Sequence, residues 1–260
     1  MNTVKRPFFL LMAAISLLTG CAVTPKAAPT ASALPTEIVS PSPAESLAAQ
    51  TPSPAPTVKS APPGQLDTIG RNAEDIFGDI QKNDWTAAGS RAEALKAEFF
   101  EIKGSLNPRT AANNAVAGME TAVAGLLAAI GNQKNYDARM NANVIAGYLA
   151  DIYDDYTVPL PTDLIRLRCL TRAIALAAEK ADWASASGDC GETADRWNTL
   201  KEQLSAATYA DDLGKVQSNV EKLKAAVEAE SAGDTQRYAG TLLTNLRLIE
   251  NDFKKQLSIL

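Results

Sequence analysis

Beyond residue 64, apolar residues recur at alternating steps of three and four. This spacing is the seam pattern of helices that pack side by side at shallow angles. The first set of four stripes comprises Leu66, Ile69, Ala73, Ile76, Ile80; Trp85, Ala88, Ala92, Leu95, Phe99, Ile102; Val116, Met119, Val123, Leu126, Ile130; and Ala142, Ile145, Leu149, Ile152, Tyr156. The second set comprises Leu164, Leu167, Thr171, Ile174, Ala178; Trp183, Ala186, Cys190, Thr193, Trp197, Leu200; Leu213, Val216, Val220, Leu223, Val227; and Ala239, Leu242, Leu246, Ile249, Phe253. The pattern predicts an all-α fold of two tandem antiparallel four-helix bundles.

The two sets of stripes are related by an internal duplication. Residues 81–85 (QKNDW) recur as residues 179–183 (EKADW), an offset of 98. Beyond a slip of one residue in a loop, matches continue at an offset of 97, as between Val123 and Val220. We interpret residues 65–156 and 161–256 as two copies of one unit, within bundle domains 65–157 and 161–260.

An Asp-Trp pair in each copy predicts the start of the second helix. The carboxylates of Asp84 and Asp182 are suited to accept hydrogen bonds from the free amides of the first turn. The indole that follows, Trp85 in the first copy, is expected to close one end of the core. A linker with two prolines, residues 157–161, separates the copies and interrupts any continuous helix.

The N-terminus has the pattern of a secretory signal. Lys5 and Arg6 precede an apolar run, residues 8–18, which is too short to span a membrane as a helix. Thr19 and Gly20 are small residues directly before Cys21.

The ending of that signal, residues 18–21 (LTGC), resembles the lipobox of bacterial lipoproteins. The resemblance implies a signal peptide of residues 1–20, cleavage between Gly20 and Cys21, and a diacylglyceryl lipid on Cys21. Several acyl chains give a stable membrane anchor, so we expect an extracytoplasmic protein tethered to the cell membrane. An ordinary signal peptide with a chance cysteine is the alternative.

A stalk of Pro, Ala, Ser and Thr is predicted for residues 21–64. Residues 22–64 hold 10 of the chain's 14 prolines. Such a segment buries too little apolar surface to offset its ordering entropy, so a disordered, partly polyproline-like spacer is expected. A proline-rich ligand for a partner domain is the other interpretation.

Composition restricts the chemistry. The chain has no histidine, which excludes Ser-His-Asp and Cys-His catalysis and His-containing metal sites. Removal of Lys5 and Arg6 with the signal changes the formal net charge from −5 to −7, which argues against nucleic acid as a partner. We therefore expect no enzyme activity and no cofactor other than the lipid.

Two cysteines remain once Cys21 is lipidated. Cys169 and Cys190 occur only in the second copy, where Arg71 and Ala92 occupy the equivalent positions of the first. A pair that is present or absent together in an oxidising compartment favours a disulfide. Two separate buried thiols are the alternative, because the cysteines lie at different distances from the intervening turn.

Charged clusters flank the linker. Asp151, Asp154 and Asp155 could hold a hard cation through oxygen ligands, or could form a solvated helix face. A basic cluster follows, which is either an anion patch or a source of salt bridges at the surface or between the bundles. Its members are Arg166, Arg168 and Arg172.

Each copy has an Asp-Trp helix start, an aromatic residue fourteen positions later, and a closing stripe that ends in Tyr156 or Phe253. With these features each copy resembles a family of small membrane-anchored helical proteins of unknown function from spore-forming bacteria. Because the function of that family is unknown, the resemblance adds no biochemical activity that could be carried over. Our first hypothesis is a non-catalytic envelope lipoprotein, a scaffold or protein-binding module whose partner is another envelope protein or wall component. The alternative is a lipoprotein that binds a cation or small solute for uptake or sensing. A pocket with convergent polar groups would favour the alternative, and a filled interior would favour the first.

Overall fold

The chain folds into helices joined by short connections. A computed structural model describes residues 59–106, 110–204 and 210–257, and within them all regular structure is α-helical. The helices are α1 (Gly64–Gln81), α2 (Trp85–Ile102), α3 (Thr110–Gly131), α4 (Asn135–Tyr153), α5 (Thr162–Glu179), α6 (Trp183–Gln203), α7 (Ala210–Glu228) and α8 (Ala232–Leu257). The all-α prediction is confirmed. The predicted signal peptide, Cys21 and residues 22–58 of the stalk lie outside the described residues.

The apolar stripes form the interior. Nearly every stripe residue is buried, and Phe99 and Trp197 are each 0% exposed. The remaining stripe residues, which are partly buried, are Trp85, Val116, Trp183, Leu213 and Phe253. Alternating steps of three and four therefore located the buried face of each helix. Trp85, which was expected to close one end of the core, is partly buried and packs against the first cluster.

Neighbouring helices pack in two closed sets. Helix α1 contacts α2 and α4, and α3 contacts α2 and α4; helices α5 to α8 repeat these contacts in the same order. Contact between α4 and α5 joins the sets, and the described residues belong to one compact unit. Each set encloses its own cluster of buried apolar residues, and Leu176 of α5 belongs to the cluster of the first set.

Four three-residue turns connect α1 to α2, α3 to α4, α5 to α6 and α7 to α8. Each contains a non-glycine residue with positive φ, namely Asn83 (60°), Gln133 (50°), Ala181 (55°) and Glu230 (51°). In every turn the amide of the residue that follows the positive-φ residue donates to the carbonyl five residues earlier, as Asp84 N does to Asp79 O at 2.9 Å. This is the Schellman arrangement for ending a helix. The four positions follow the offsets of 98 and 97 seen in the sequence.

Both predicted N-caps are confirmed. Asp84 Oδ1 accepts from the Ala87 amide at 3.0 Å, and Asp182 Oδ1 accepts from the Ser185 amide at 3.1 Å. Hydrogen bonds from the Ser185 hydroxyl and amide lower the pKa of Asp182.

The helices alternate in direction, so all four turns lie at one end and the start of α1 lies at the other. Here the Thr157 amide donates to Ser60 O at 2.9 Å and its hydroxyl donates to Lys59 O at 3.0 Å. These bonds hold the segment before α1 against the linker between α4 and α5. The predicted end of the stalk at residue 64 is therefore too late, because Lys59 already contacts the folded part.

One window of α3, Asn114–Gly131, is long and apolar enough to cross a membrane by length and composition alone. Its mean hydropathy is 1.4, and 33% of it is buried inside the protein. Core helices of soluble proteins meet the same criteria.

Candidate functional site

Helices α4 and α5 form the seam between the two sets, and side chains join them along its length. At one end Arg139 donates to both carboxylate oxygens of Glu179, at 2.8 and 2.6 Å. Farther along, Asn143 Nδ2 donates to the backbone oxygen of Cys169 at 2.9 Å. The bidentate ion pair and the amide contact fix the register of the two helices.

Arg166 occupies the other end of the seam. Its Nη2 lies 2.7 Å from Asp151 Oδ1 and 2.6 Å from Asp154 Oδ2. Burial alone lowers the pKa of Arg166, but the hydrogen bonds to Asp154 and Asp151 outweigh burial and raise it overall.

The candidate cation site at Asp151, Asp154 and Asp155 is therefore wrong. The guanidinium of Arg166 contacts both Asp151 and Asp154, so it occupies the space in which a cation would have to bind these two carboxylates. Within the part of the chain that the structure describes, no group of three or more Cys, Asp or Glu side chains is placed to hold a metal ion.

A second charged cluster connects α1, α5 and α8. Arg168 contacts Glu74 and Glu250, Arg172 lies 3.4 Å from Glu74, and Arg247 lies 3.8 Å from Glu74. Burial lowers the pKa of both Arg168 and Arg172. Their carboxylate partners compensate the buried charges. The basic cluster of the sequence thus supplies salt bridges between the two helix sets, as one of the two interpretations predicted.

A groove of about 340 Å³ opens beside the seam, where α4, α5 and α6 meet. Val144, Tyr148 and Leu170 line its apolar part, and Gly147 leaves its floor open, since a Cβ added there would meet no atom within 4 Å. Its polar residues are Asn143, Asp151, Arg166, Glu192 and Arg196.

Asn143 is the unusual polar residue of this groove. It is only 5% exposed, and among the described residues its Oδ1 has no hydrogen-bond partner. Its Nδ2 is held by the Cys169 carbonyl, so the amide cannot reverse without placing two oxygens together. An unsatisfied buried acceptor costs about 1–3 kcal/mol, which calls for an explanation.

Cys169 and Cys190 are not bonded to each other, which contradicts the predicted disulfide. Cys190 packs into the core of the second set, whereas Cys169 lines the groove on the side of α5 that faces α4. Cys169 lies two residues after the inward-facing Leu167, about 200° around the helix, so its thiol points away from that core. Burial raises the pKa of both thiols, that of Cys190 to about 11.

Nothing in the apolar pattern of the sequence marks Asn143 or Arg139 as important. Both are polar residues beside the predicted stripe of α4, where Ala138, Ala142 and Ala146 are small enough for a second helix to approach. On α4 and α5, alanines extend beyond the predicted stripe onto a second face of each helix. This wider distribution of small residues in the sequence was a sign that these two helices are buried on two sides. Comparisons of the chain with protein-family models, with curated proteins and with solved structures gave no match.

Proposed function

We propose that the chain is a non-catalytic, lipid-anchored extracytoplasmic protein that serves as a scaffold or protein-binding module of the cell envelope. The observation that supports this most directly is the filled interior. Leu95, Phe99 and Met119 in the first cluster, and Trp197 and Leu246 in the second, are each 0% exposed. Interiors filled in this way favour a rigid structural role over a ligand carrier with a central cavity.

We further propose that the eight helices in the described part of the chain are two copies of one antiparallel four-helix bundle. Closure of α1 on α4 and of α5 on α8 supports this, as do the two separate buried clusters and the equivalent turns. The salt bridges of Arg139 and Arg168 would then hold the bundles together at the seam.

The tether and the four turns lie at opposite ends of the folded part. Lys59 and Ser60 lie beside the linker, so a tether that begins at Cys21 would enter at that end. The four turns form the opposite, distal end, and their hydrogen-bonded geometry makes them rigid points of contact. We place the partner-binding surface at these turns.

The anchor is tested first. Cys21→Ser should move the protein from the membrane fraction to the soluble extracytoplasmic fraction and abolish incorporation of an alkyne-labelled fatty acid. Cys169→Ser is the matched control and should leave both unchanged. Retention of label and membrane association by the Cys21→Ser chain would disprove the lipoprotein assignment.

The binding surface is tested in living cells by photo-crosslinking. A photoreactive residue replaces Lys82, Asn132 or Lys180 at the distal turns, or Ser60 at the tether end as the control. A discrete crosslinked product from the distal positions and none from Ser60 is expected. Products from Ser60 alone, or none at any position, would contradict a distal binding surface.

A further inference from the structure

Helix α3 has an exposed face without charge, on the side opposite its buried stripe. The residues of this face follow alternating steps of three and four, the same spacing that marks the buried stripes. We call this set the outer face of α3, and all of its members are exposed: Asn114, Ala117, Thr121, Ala124, Ala128 and Gly131. At 3.6 residues per turn, the outer face lies about 180° around the helix from the buried stripe. This spacing is typical of contact with another helix, and no described helix covers the outer face.

The second helix set provides an internal comparison. Glu120 is the only charged residue in the sequence of α3, and it pairs with Lys103 at 3.0 Å. In α7, Glu221 takes the place of Ala124 at the offset of 97, and Glu228 lies two turns farther along the same face. Both glutamates are exposed. Helix α7 thus has the charged outer side expected of a solvated helix, whereas α3 does not.

A second copy of this chain fits the outer face of α3 in charge and in shape. The formal net charge of the chain is −5, so two copies repel one another on average. An uncharged face lets two copies meet without bringing like charges into contact. Its small side chains allow two helix backbones to approach closely, and a two-fold axis sets each residue opposite itself in the other copy.

The area of the outer face determines how strongly two copies associate. Residues 114–131 form 18 residues of helix. A helix of that length is about 27 Å long and about 10 Å wide, so its face covers about 300 Å². Two faces together bury about 600 Å², roughly half of what a stable, specific interface needs. Association in free solution is therefore weak, whereas attachment to a membrane concentrates the copies and orients them alike. This step rests on the membrane anchor proposed above.

We propose that the outer face of α3 binds the same face of a second copy, so that membrane-attached chains form a parallel two-fold dimer. The two α3 helices run side by side from the tether end to the distal turns. The dimer presents two sets of distal turns next to each other, so a partner of the scaffold meets a paired surface.

The test replaces the lipid, so its outcome does not depend on lipidation of Cys21. The chain has no histidine, so an N-terminal hexahistidine tag is its single point of attachment to vesicles that contain nickel-chelating lipid. Residues 22–260 are used, because they include all of the described structure. Ala128→Cys on α3 and Ala225→Cys on α7 are matched variants, since both alanines are exposed and are related by the offset of 97. An added oxidant joins facing thiols as a disulfide, which a non-reducing gel detects.

Ala128→Cys should give a product of twice the chain mass on vesicles, about tenfold or more above its yield at the same concentration in solution. Ala225→Cys should give no more product than the chain without either substitution. Ala124→Glu, added to Ala128→Cys, should remove the product because two carboxylates would face each other across the axis, and circular dichroism should show an unchanged fold. No product from Ala128→Cys on vesicles, or equal product from the two cysteine variants, would overturn the proposal. Failure of the lipid anchor itself appears separately, in the fractionation of the Cys21→Ser chain.

Discussion

Left-handed backbone conformations at residues other than glycine mark the end of four helices. Such a conformation costs a residue with a Cβ about 1–2 kcal/mol, and asparagine bears it better than most. Asn83 is suited to its position, whereas Ala181 has the same conformation with no side-chain hydrogen bond to offset the strain. The turns are thus fixed by the surrounding helices rather than by local preference at every position.

Ala181→Gly should therefore stabilise the protein. We expect a gain of about 1 kcal/mol in the free energy of unfolding and a rise of about 2–4 °C in Tm, measured by denaturant and thermal unfolding. Ala94→Gly, on the exposed middle of α2, is the control and should lose about 0.5–1 kcal/mol. A destabilised Ala181→Gly variant would show that the turn does not have positive φ in solution.

Cys190 should make stability depend on alkaline pH. Burial, together with Asp189 and Glu228, raises the pKa of its thiol from 9.0 to about 11. Because the pKa is higher in the folded state, its contribution is fully present below pH 9.0 and is lost as pH rises through about 11. The free energy of unfolding, measured with urea across this pH range, should fall in the natural chain and should fall less in Cys190→Val. Identical pH dependence of the two proteins would indicate that the thiol is not buried.

At the scale of elements, helices α3 and α4 lie so close together at Gly118 that a Cβ at this position would clash with a side chain of α4. A Cβ on Gly118 would lie 2.2 Å from Tyr148 Cζ, so this glycine gives space to the tyrosine ring. The positions at the same offset of 97 in the second helix set are Lys215 and Asn245, which cannot make this contact. This glycine–tyrosine contact is therefore specific to the first helix set.

A double-mutant cycle tests this packing. With Tyr148 present, Gly118→Ala should lose stability or gain none, because the ring must move. With Tyr148→Ala, the same change should raise the free energy of unfolding by about 0.5–1 kcal/mol, the helix preference of alanine over glycine. Equal effects in the two backgrounds, measured by urea denaturation, would mean that the residues do not touch.

The periodicity of the sequence located the buried stripes because helix geometry alone decides which residues share a face. It could not locate Asn143 or the Arg139–Glu179 pair, since their environment depends on how one helix set packs on the other. The prediction of a cation site was wrong for the same reason. Asp151 and Asp154 are close in sequence, but Arg166, which comes after the linker, reaches both.

At the scale of the whole molecule, buried ion pairs couple the two helix sets. The Glu74 carboxylate of α1 pairs with both Arg168 and Arg172 of α5. Glu74→Gln therefore removes one charged partner from each of these guanidinium groups. We expect a loss of about 3–5 kcal/mol in the free energy of unfolding, measured by denaturation. Asp75→Asn is the control: its carboxylate is 53% exposed and pairs with a partly exposed Arg91, so the loss should stay below about 1 kcal/mol. Similar losses in the two variants would show that the cluster is not buried.

The central claim is that the chain repeats one four-helix unit, each copy with its own core. The most direct test is to produce residues 59–157 alone and to measure helix content by circular dichroism and cooperativity by thermal unfolding. The account predicts a monomeric helical domain that unfolds in one cooperative transition, at a lower temperature than the intact chain because the contacts across the seam are missing. A fragment that is unfolded, or that melts without cooperativity, would contradict the claim.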